Sequence, residues 1–200
     1  MALPYDITKH IPYDPLGFIR ISNRTAEKPI EIIEWQPTWT ASFQTISQRI
    51  SQALGDRALQ ISHVGSTSVP GLPAKDVIDV DITVRDPTAE ADYVPALEAA
   101  GFQFLHREPY WHEHRFFGLD EPYANIHVFG PESPELVRHR IFRDWLRAHE
   151  DDRNLYVKVK RESAAKSRVL GESGMQYNDR KEAVIREILG RVYKAHGYLE

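Results

Sequence analysis

Two carboxylates stand one residue apart in an otherwise apolar segment of the chain. Asp79 and Asp81 alternate with Ile78, Val80 and Ile82, the pattern of a β-strand with one polar face. Side chains two residues apart on a strand point to the same side, about 6.6 Å from each other. Because carboxylates at that spacing repel one another, the pair predicts a bound divalent cation, with Mg²⁺ as the first choice. A solvated strand face, or ion pairs with Arg or Lys, is the alternative.

A Gly-Ser turn upstream of this strand has the residue types of an anion site. Twelve residues separate Ser66 from Asp79, and Gly65 ends the preceding strand candidate. The backbone N–H groups and the serine hydroxyl of such a turn can face a phosphate. Thr67 adds a second hydroxyl and Lys75 a positive charge, although both could simply shape the loop or lie in solvent. Phosphate donors beside a metal-binding carboxylate pair are the minimal parts of a nucleotidyl-transfer site.

The order of these parts resembles the signature of the DNA polymerase β-like nucleotidyltransferase superfamily. More closely, the chain is similar to the GrpB family, and the segment SHVGSTSVPGLPAKDVIDVDITV carries most of that likeness. Shorter motifs add to it: Trp35–Trp39, Arg115–Phe117, Asn125–Phe129, Arg138–His149 and Tyr177–Ile185. The resemblance implies a nucleotidyltransferase-like fold, phosphate contacts from Gly65 and Ser66, and metal ligation by Asp79 and Asp81. A related domain is fused to dephospho-coenzyme A kinases in some bacteria, which implies nucleotide-related chemistry.

The chain departs from the wider superfamily at the third acidic position. Active members generally carry a third carboxylate on a later strand, whereas the matching segment here places Asn125 and His127 on one face. His127 is the candidate for that role, as a base or as a third ligand, because neutral imidazole accepts a proton near neutral pH. Imidazole suits Zn²⁺ or Mn²⁺ better than Mg²⁺. A hydrogen-bonded core histidine is the alternative.

Other charged residues are candidates for binding the substrate. Arg115 could bind a phosphate or carboxylate bidentately, or pair with an aspartate in place of a metal. Lys181 could neutralise a phosphate, whereas Lys160 is expected to be solvated like most lysines. The H-x-H of His112 and His114 is a potential chelate, but with no third ligand identified it is interpreted as a solvated strand edge.

Hydrophobic periodicity predicts an α/β or α+β fold, with a nucleotidyltransferase-like mixed sheet flanked by helices and a helical C-terminal third. Strands are expected at 30–35, 59–64, 76–84, 102–106, 113–119 and 123–129. Helices are expected at 37–54, 88–100, 133–149, 151–169 and 176–196. Residues 1–29, which contain four prolines, are expected to form an N-terminal extension that wraps the body or is partly loose, and residues 30–200 to form the domain.

The composition narrows the choice of function. A net charge of −4 and the lack of a basic tract argue against nucleic acid as a partner. The chain has no cysteine, which excludes disulfides, thiolate zinc sites and a cysteine nucleophile. Because we find neither a signal peptide nor an apolar run of about 20 residues, the expected location is cytoplasmic, with no membrane contact.

The function predicted first is that of a metal-dependent nucleotidyltransferase-like enzyme acting on a small-molecule acceptor. Its ligand would be a nucleotide or another phosphorylated or acidic small molecule. The first alternative is a non-catalytic module that binds such a ligand. The second is a repurposed fold that catalyses non-nucleotide chemistry, such as a cyclisation or condensation, with His127 and Arg115 as an acid–base pair.

Overall fold

A mixed β-sheet forms the centre of the molecule. The computed structural model describes residues 3–12 and 17–200, and within them six strands pair in the order β1-β4-β5-β6-β3-β2. Strands β3 and β6 run parallel, and the other neighbours are antiparallel. The strands are β1 (Ile19–Arg20), β2 (Gln60–Val64), β3 (Ile78–Thr83), β4 (Gln103–Glu108), β5 (His114–Asp120) and β6 (Tyr123–Phe129).

Six α-helices accompany the sheet in the described part of the chain. They are α1 (Pro4–Thr8), α2 (Thr38–Leu54), α3 (Val94–Ala99), α4 (Pro134–Ala148), α5 (Glu150–Leu170) and α6 (Gly174–Ala195). The mixed α/β class and the helical C-terminal third are therefore as the sequence predicts. None of the helices within residues 3–12 and 17–200 has the length and apolar character needed to cross a membrane.

The register of β3 gives the sheet one polar and one apolar face. Asp79 lies beside Asn125 of β6, and Asp81 lies beside His127. Ile78, Val80 and Ile82 point the other way, because successive side chains of a strand alternate. Helices α2 and α3 cover that apolar face. The buried core there includes Trp39, Ile46, Ile50, Leu54, Val80, Ile82, Leu97, Phe117, Ile126 and Val128.

The C-terminal helices build a second core on the aspartate side. Helices α4, α5 and α6 pack together with the loop that follows β2, and the buried residues there include Val69, Leu72, Ile141, Leu146, Ile188 and Val192. A polar cleft is therefore left between the aspartate face of the sheet and this helical layer. The loop and the two strands that frame it supply the polar side chains.

Two predicted elements are much shorter in the structure. The segment 30–35 alternates like a strand but makes only an isolated bridge between Ile33 and Ala74, since an alternating pattern does not by itself provide a partner strand. The helix predicted at 88–100 is limited to α3. Pro95 lies in its first turn, where proline is tolerated, and the Tyr93 hydroxyl donates to the Pro87 carbonyl at 2.6 Å just before it.

The N-terminal residues that the structure describes pack on the body. Arg138 of α4 donates to backbone carbonyls of α1 at Asp6 and Ile7 and to that of Lys9, and β1 adds an edge strand beside β4. Pro15 of the predicted extension lies outside the described residues. The domain boundary at residue 29 stays a prediction.

Candidate functional site

A cavity of about 310 Å³ opens between the Gly-Ser turn after β2 and the C-terminal helices. Its lining includes Gly65 and Ser66 of the turn, His139 and Arg143 of α4, and Tyr156 of α5. Internal hydrogen bonds stabilise the turn, because the Ser68 hydroxyl and the Ser68 backbone N–H both donate to the Gly65 carbonyl. The Gly-Ser turn predicted to bind an anion therefore lies at a cavity that also contains cationic side chains.

Asp81 is paired with a histidine that sequence reasoning did not single out. The His139 Nδ1 lies 2.9 Å and 3.1 Å from the two carboxylate oxygens of Asp81, and Asp81 is only 2% exposed. Burial lowers the pKa of His139, but the charge and hydrogen bond of Asp81 outweigh it and raise that pKa to about 9. At neutral pH the pair is therefore an imidazolium–carboxylate ion pair.

Asp79 lies against the Gly-Ser turn. Its Oδ1 accepts a hydrogen bond of 2.8 Å from the Asn125 amide. Gly65 has φ 65° and ψ −171°, and a Cβ built there would overlap the Asp79 carboxylate, lying 2.8 Å from its Cβ. Burial raises the pKa of Asp79, and the Asn125 hydrogen bond and the Lys75 charge oppose that rise. A side chain at position 65 would thus displace the carboxylate.

Three lysines gather near Asp79 with shielded side chains. The Lys75 and Lys181 ammonium groups lie 4.9 Å and 4.1 Å from the centre of the Tyr177 ring. Burial, with Lys75 acting in the same direction, lowers the pKa of Lys181 to about 7, against the opposing charge of Asp79. Lys160 is 2% exposed, so the prediction that it is solvated is wrong. It lies on the buried face of α5 with Tyr156 and Ala164, and its ammonium donates to the Pro73 carbonyl at 2.7 Å.

A buried hydroxyl lies in the same region. Among the described residues, the Tyr177 hydroxyl finds no hydrogen-bond partner. Tyr177 itself is 1% exposed, and burial raises the pKa of its hydroxyl far above the ordinary value. Buried hydroxyls are normally paired, so an unpaired one beside ammonium groups is what a bound anion would satisfy.

His127 connects the aspartates to further histidines. Its Nδ1 lies 3.0 Å from the Nε2 of His114, and its ring centre is 5.9 Å from that of His139. Burial, followed by the positive charges of His114 and His139, lowers the pKa of His127 well below its ordinary value. The imidazole is therefore neutral at neutral pH, as a proton acceptor must be. Its catalytic role stays a prediction.

Two predicted site residues lie apart from this cleft. Arg115 alternates with His114 along β5 and points to the opposite face of the sheet, where its Nε donates to Glu90 at 2.6 Å. The prediction that it binds phosphate beside the aspartates is therefore not supported by its position. Thr67 is buried, and its hydroxyl is 3.0 Å from the Nε2 of His63, so it holds the loop instead of facing the cavity.

Of the predicted site residues, Gly65 and Ser66 line this cavity, and Asp79 lies against Gly65 within reach of the charges of Lys75 and Lys181. Asp81 and His127 lie on the same face of the sheet as Asp79. His139 was missed because its partner is 58 residues away along the chain. The one local signal was its place in the Arg138–His149 motif, which contributes to the family resemblance.

His63 is a partly buried, neutral imidazole that makes stability depend on pH. Its ring stacks on Phe43 with ring centres 4.7 Å apart. Burial, with the nearby charges of Arg147 and Arg143, lowers the pKa of His63 to about 4. The folded protein therefore takes up this proton less readily than the unfolded chain, in which a value of about 6.5 applies.

Lowering the pH from 7 to 5 is expected to cost about 2 kcal/mol of unfolding free energy through His63, because the unfolded chain gains a proton in this window and the folded protein does not. The contribution is complete above pH 6.5 and is lost as the pH falls towards 4. Urea unfolding at both pH values measures it. His63→Gln should lose less stability over this interval than the wild type, whereas the exposed control His196→Gln should keep the wild-type dependence. An unchanged slope in His63→Gln would contradict the assignment.

Known proteins resemble this chain over most of its length. The family described as GrpB protein matches residues 29–191. A UPF0157 protein from Halalkalibacterium halodurans is 43% identical over 162 residues, which is 81% of this chain and 82% of that protein. A dephospho-CoA kinase from Mycolicibacterium paratuberculosis is 34% identical over 167 residues, covering 70% of this chain but only 41% of the kinase.

A solved structure has the same fold. The crystal structure of the conserved protein GrpB from Enterococcus faecalis superposes with a TM-score of 0.68 at 24% sequence identity. The match covers 83% of this chain and 99% of that one. At this identity the likeness speaks for the fold alone, and the fold is consistent with the nucleotidyltransferase-like class predicted from the Gly-Ser and Asp-x-Asp pattern.

Proposed function

The chain belongs to the GrpB family, and we propose that it is a metal-dependent nucleotidyltransferase-like enzyme acting on a small-molecule acceptor. The observation that carries this proposal is the position of the Gly-Ser turn. It lies against Asp79 at the mouth of a cavity, with buried lysines beside the same carboxylate. Carboxylates for a cation and ammonium groups for phosphates are thus available within one cleft.

The donor set at the aspartates fits a divalent cation. Asp79 and Asp81 share a strand face and supply two carboxylates, and His139 beside Asp81 would add an imidazole ligand once the cation displaces the proton of the ion pair. Mixed oxygen and nitrogen donors favour Mn²⁺ or Zn²⁺, and carboxylates with water would serve Mg²⁺. When bound, the cation would neutralise the phosphates of the nucleotide.

Phosphate binding falls to the turn and the lysines. Gly65 and Ser66 border the cavity, and the ammonium groups of Lys75 and Lys181 lie near the ring of Tyr177, whose hydroxyl has no hydrogen-bond partner among the described residues. An anion bound here would pair with these ammonium groups and so offset the free energy of desolvation that their burial requires. The similarity to part of a dephospho-CoA kinase supports a nucleotide or another phosphorylated small molecule as the ligand.

A second candidate function rests on the ion pair of Asp81 and His139. An imidazole held by a buried carboxylate is the usual arrangement for a general acid or base. With Arg143 lining the same cavity, the pair could protonate or deprotonate an acidic substrate without any nucleotide. In this form the repurposed-fold alternative uses His139 in place of Arg115, which lies on the other face of the sheet.

A thermal-unfolding panel separates these functions. Nucleoside triphosphates with Mg²⁺, Mn²⁺ or Zn²⁺ are expected to raise the unfolding midpoint. At a ligand concentration 100 times Kd the gain is about 2.7 kcal/mol, or about 5–10 °C for a chain of this size. The double variant Asp79→Asn with Asp81→Asn should lose the metal-dependent shift, because it lacks both carboxylates. Asp56→Asn, an exposed aspartate, is the matched control.

If no nucleotide shifts the midpoint with any metal, the nucleotidyltransferase proposal fails. A shift by metal-free acidic compounds that disappears in His139→Gln would support the second candidate instead. A nucleotide shift of equal size in the double variant would mean that the aspartates do not hold the cation.

A further inference from the structure

A cluster of three metal-ligand side chains lies on the aspartate face of the sheet, one strand beyond His127. His106 and Glu108 belong to β4, and His114 belongs to β5. One donor atom from each of the three lies within 4.8 Å of the others. Glu108 Oε2 is 2.7 Å from His114 Nδ1 and 3.4 Å from His106 Nε2, so the carboxylate already joins the two imidazoles.

Strand pairing explains why these residues meet. His106 and Glu108 are two apart on β4 and share a face, and the register places Glu108 directly opposite His114. His114 is 1% exposed, so the interpretation of the H-x-H segment as a solvated edge is wrong for this histidine. His112 takes no part, because it has φ 56° and its Nε2 is 3.7 Å from Glu135.

We propose that His106, Glu108 and His114 bind a transition-metal ion, with Zn²⁺ as the best fit. Two imidazoles and one carboxylate are a ligand set typical of zinc sites that keep a fourth position for water or substrate. A mixed nitrogen and oxygen set of this kind disfavours Mg²⁺ and Ca²⁺, which prefer all-oxygen ligands. The site is separate from Asp79 and Asp81 and does not depend on the nucleotide proposal.

The surroundings of the cluster fit a metal site. His114 would bind through Nδ1, while its Nε2 is hydrogen-bonded to His127, the kind of outer contact that orients a ligating imidazole. The His114 ring is also fixed by Phe129, stacked with ring centres 4.7 Å apart, and by the edge of Trp111 at 4.8 Å. The ligand is therefore held in place before any ion arrives.

The fourth position has access to a second cavity. Glu108 lines a space of about 750 Å³ together with Tyr110, Trp111 and Arg138. A small molecule with a metal-binding oxygen or nitrogen could enter there and complete the coordination. On the other side, His127 links the cluster to the region of His139. The proposed ion would thus be connected to the Asp81–His139 ion pair through the rings of His114 and His127.

The test is metal titration of the full chain after removal of bound metals. Co²⁺ is the spectroscopic probe, since coordination through imidazole changes its visible absorption, and Zn²⁺ is then added as a competitor. Glu108→Gln and His106→Gln should each weaken binding by more than about 100-fold, because losing a ligand should exceed the 10–100-fold cost of an outer contact. His127→Asn should cost about 10–100-fold. The exposed His196→Gln is the control and should bind like the wild type.

The double variant Asp79→Asn with Asp81→Asn makes the two metal proposals distinguishable. It should lose any ion bound at the aspartates together with the nucleotide-dependent shift, and keep one Co²⁺ per chain with an affinity within about 3-fold of the corresponding wild-type site. The inference is overturned if the wild type binds neither Co²⁺ nor Zn²⁺ at micromolar concentrations, or if that one ion still binds when Glu108→Gln and His106→Gln are each added to the double variant. It is also overturned if only the aspartate variant loses binding. X-ray absorption of the wild-type zinc complex, which should report two imidazole ligands, gives an answer even if a variant misfolds.

Discussion

Replacing Gly65 by alanine is expected to abolish the metal- and nucleotide-dependent rise in unfolding temperature. The backbone at φ 65° and ψ −171° belongs to a region used almost only by glycine, so alanine should cost about 1–3 kcal/mol of stability. More importantly, its Cβ would overlap the Asp79 carboxylate. The carboxylate must move away from the turn. The proposed cation at Asp79 and the phosphates at the turn would then no longer be held next to each other.

Gly71 supplies a matched control from the same loop. It also has a positive φ, of 77°, but a Cβ added there meets no atom of the described residues within 4 Å. Gly71→Ala should therefore destabilise the protein through its backbone while leaving the ligand-dependent shift intact. Urea unfolding and the thermal panel measure the two effects separately. Retention of the full shift in Gly65→Ala would contradict the proposed role of the turn.

Replacing Lys181 by methionine is expected to stabilise the unliganded protein and to weaken anion binding. Methionine has a similar length and removes the cost of shielding an ammonium group from water. Burial lowers the pKa of Lys181 to about 7, which shows that the folded protein bears a cost for this ammonium group. If the lysine is kept for its ligand, the same substitution should weaken binding of inorganic triphosphate about 10-fold or more.

Lys194 is the matched control for that variant. It lies on the same helix, α6, but is exposed, so Lys194→Met should change neither the stability nor the triphosphate affinity appreciably. The opposite signs of the two effects at position 181 are the informative result. A loss of stability in Lys181→Met with unchanged triphosphate affinity would assign Lys181 to the core and remove it from the site.

Local patterns were sufficient to predict one half of the cleft. The alternation around Asp79 and Asp81 determines which side chains share a face, and the nearby glycine marks the turn. Both signals lie within a short stretch of chain, and the strand β6 with His127 has the predicted bounds. The order of the elements from α2 to α6 followed from hydrophobic period in the same way, whereas α1 and β1 were not predicted and the segment 30–35 makes only one bridge.

The other half depends on contacts between distant segments. His139 reaches Asp81 only because α4 crosses the polar face of the sheet, and no periodicity within α4 reveals that partner. The sequence does not show which face of the sheet Arg115 occupies, because that depends on the register between β5 and β6. The pairing of β4 with β5 likewise determines that His106 and Glu108 meet His114. Lys160 was misjudged because lysine type alone does not distinguish a buried helix face from a solvated one.

The contact between α1 and Arg138 shows that the segment matched by the family model and the packed structure have different N-terminal limits. The family model matches from residue 29 onwards, yet the guanidinium of Arg138 on α4 donates to backbone carbonyls of residues 6, 7 and 9. Arg138 borders both cavities and is the chain neighbour of His139. A protein shortened to residues 29–191 would therefore lack the backbone carbonyls that accept hydrogen bonds from Arg138, the side chain that lines both cavities. In this chain the packed structure therefore includes residues that precede the segment matched by the family model.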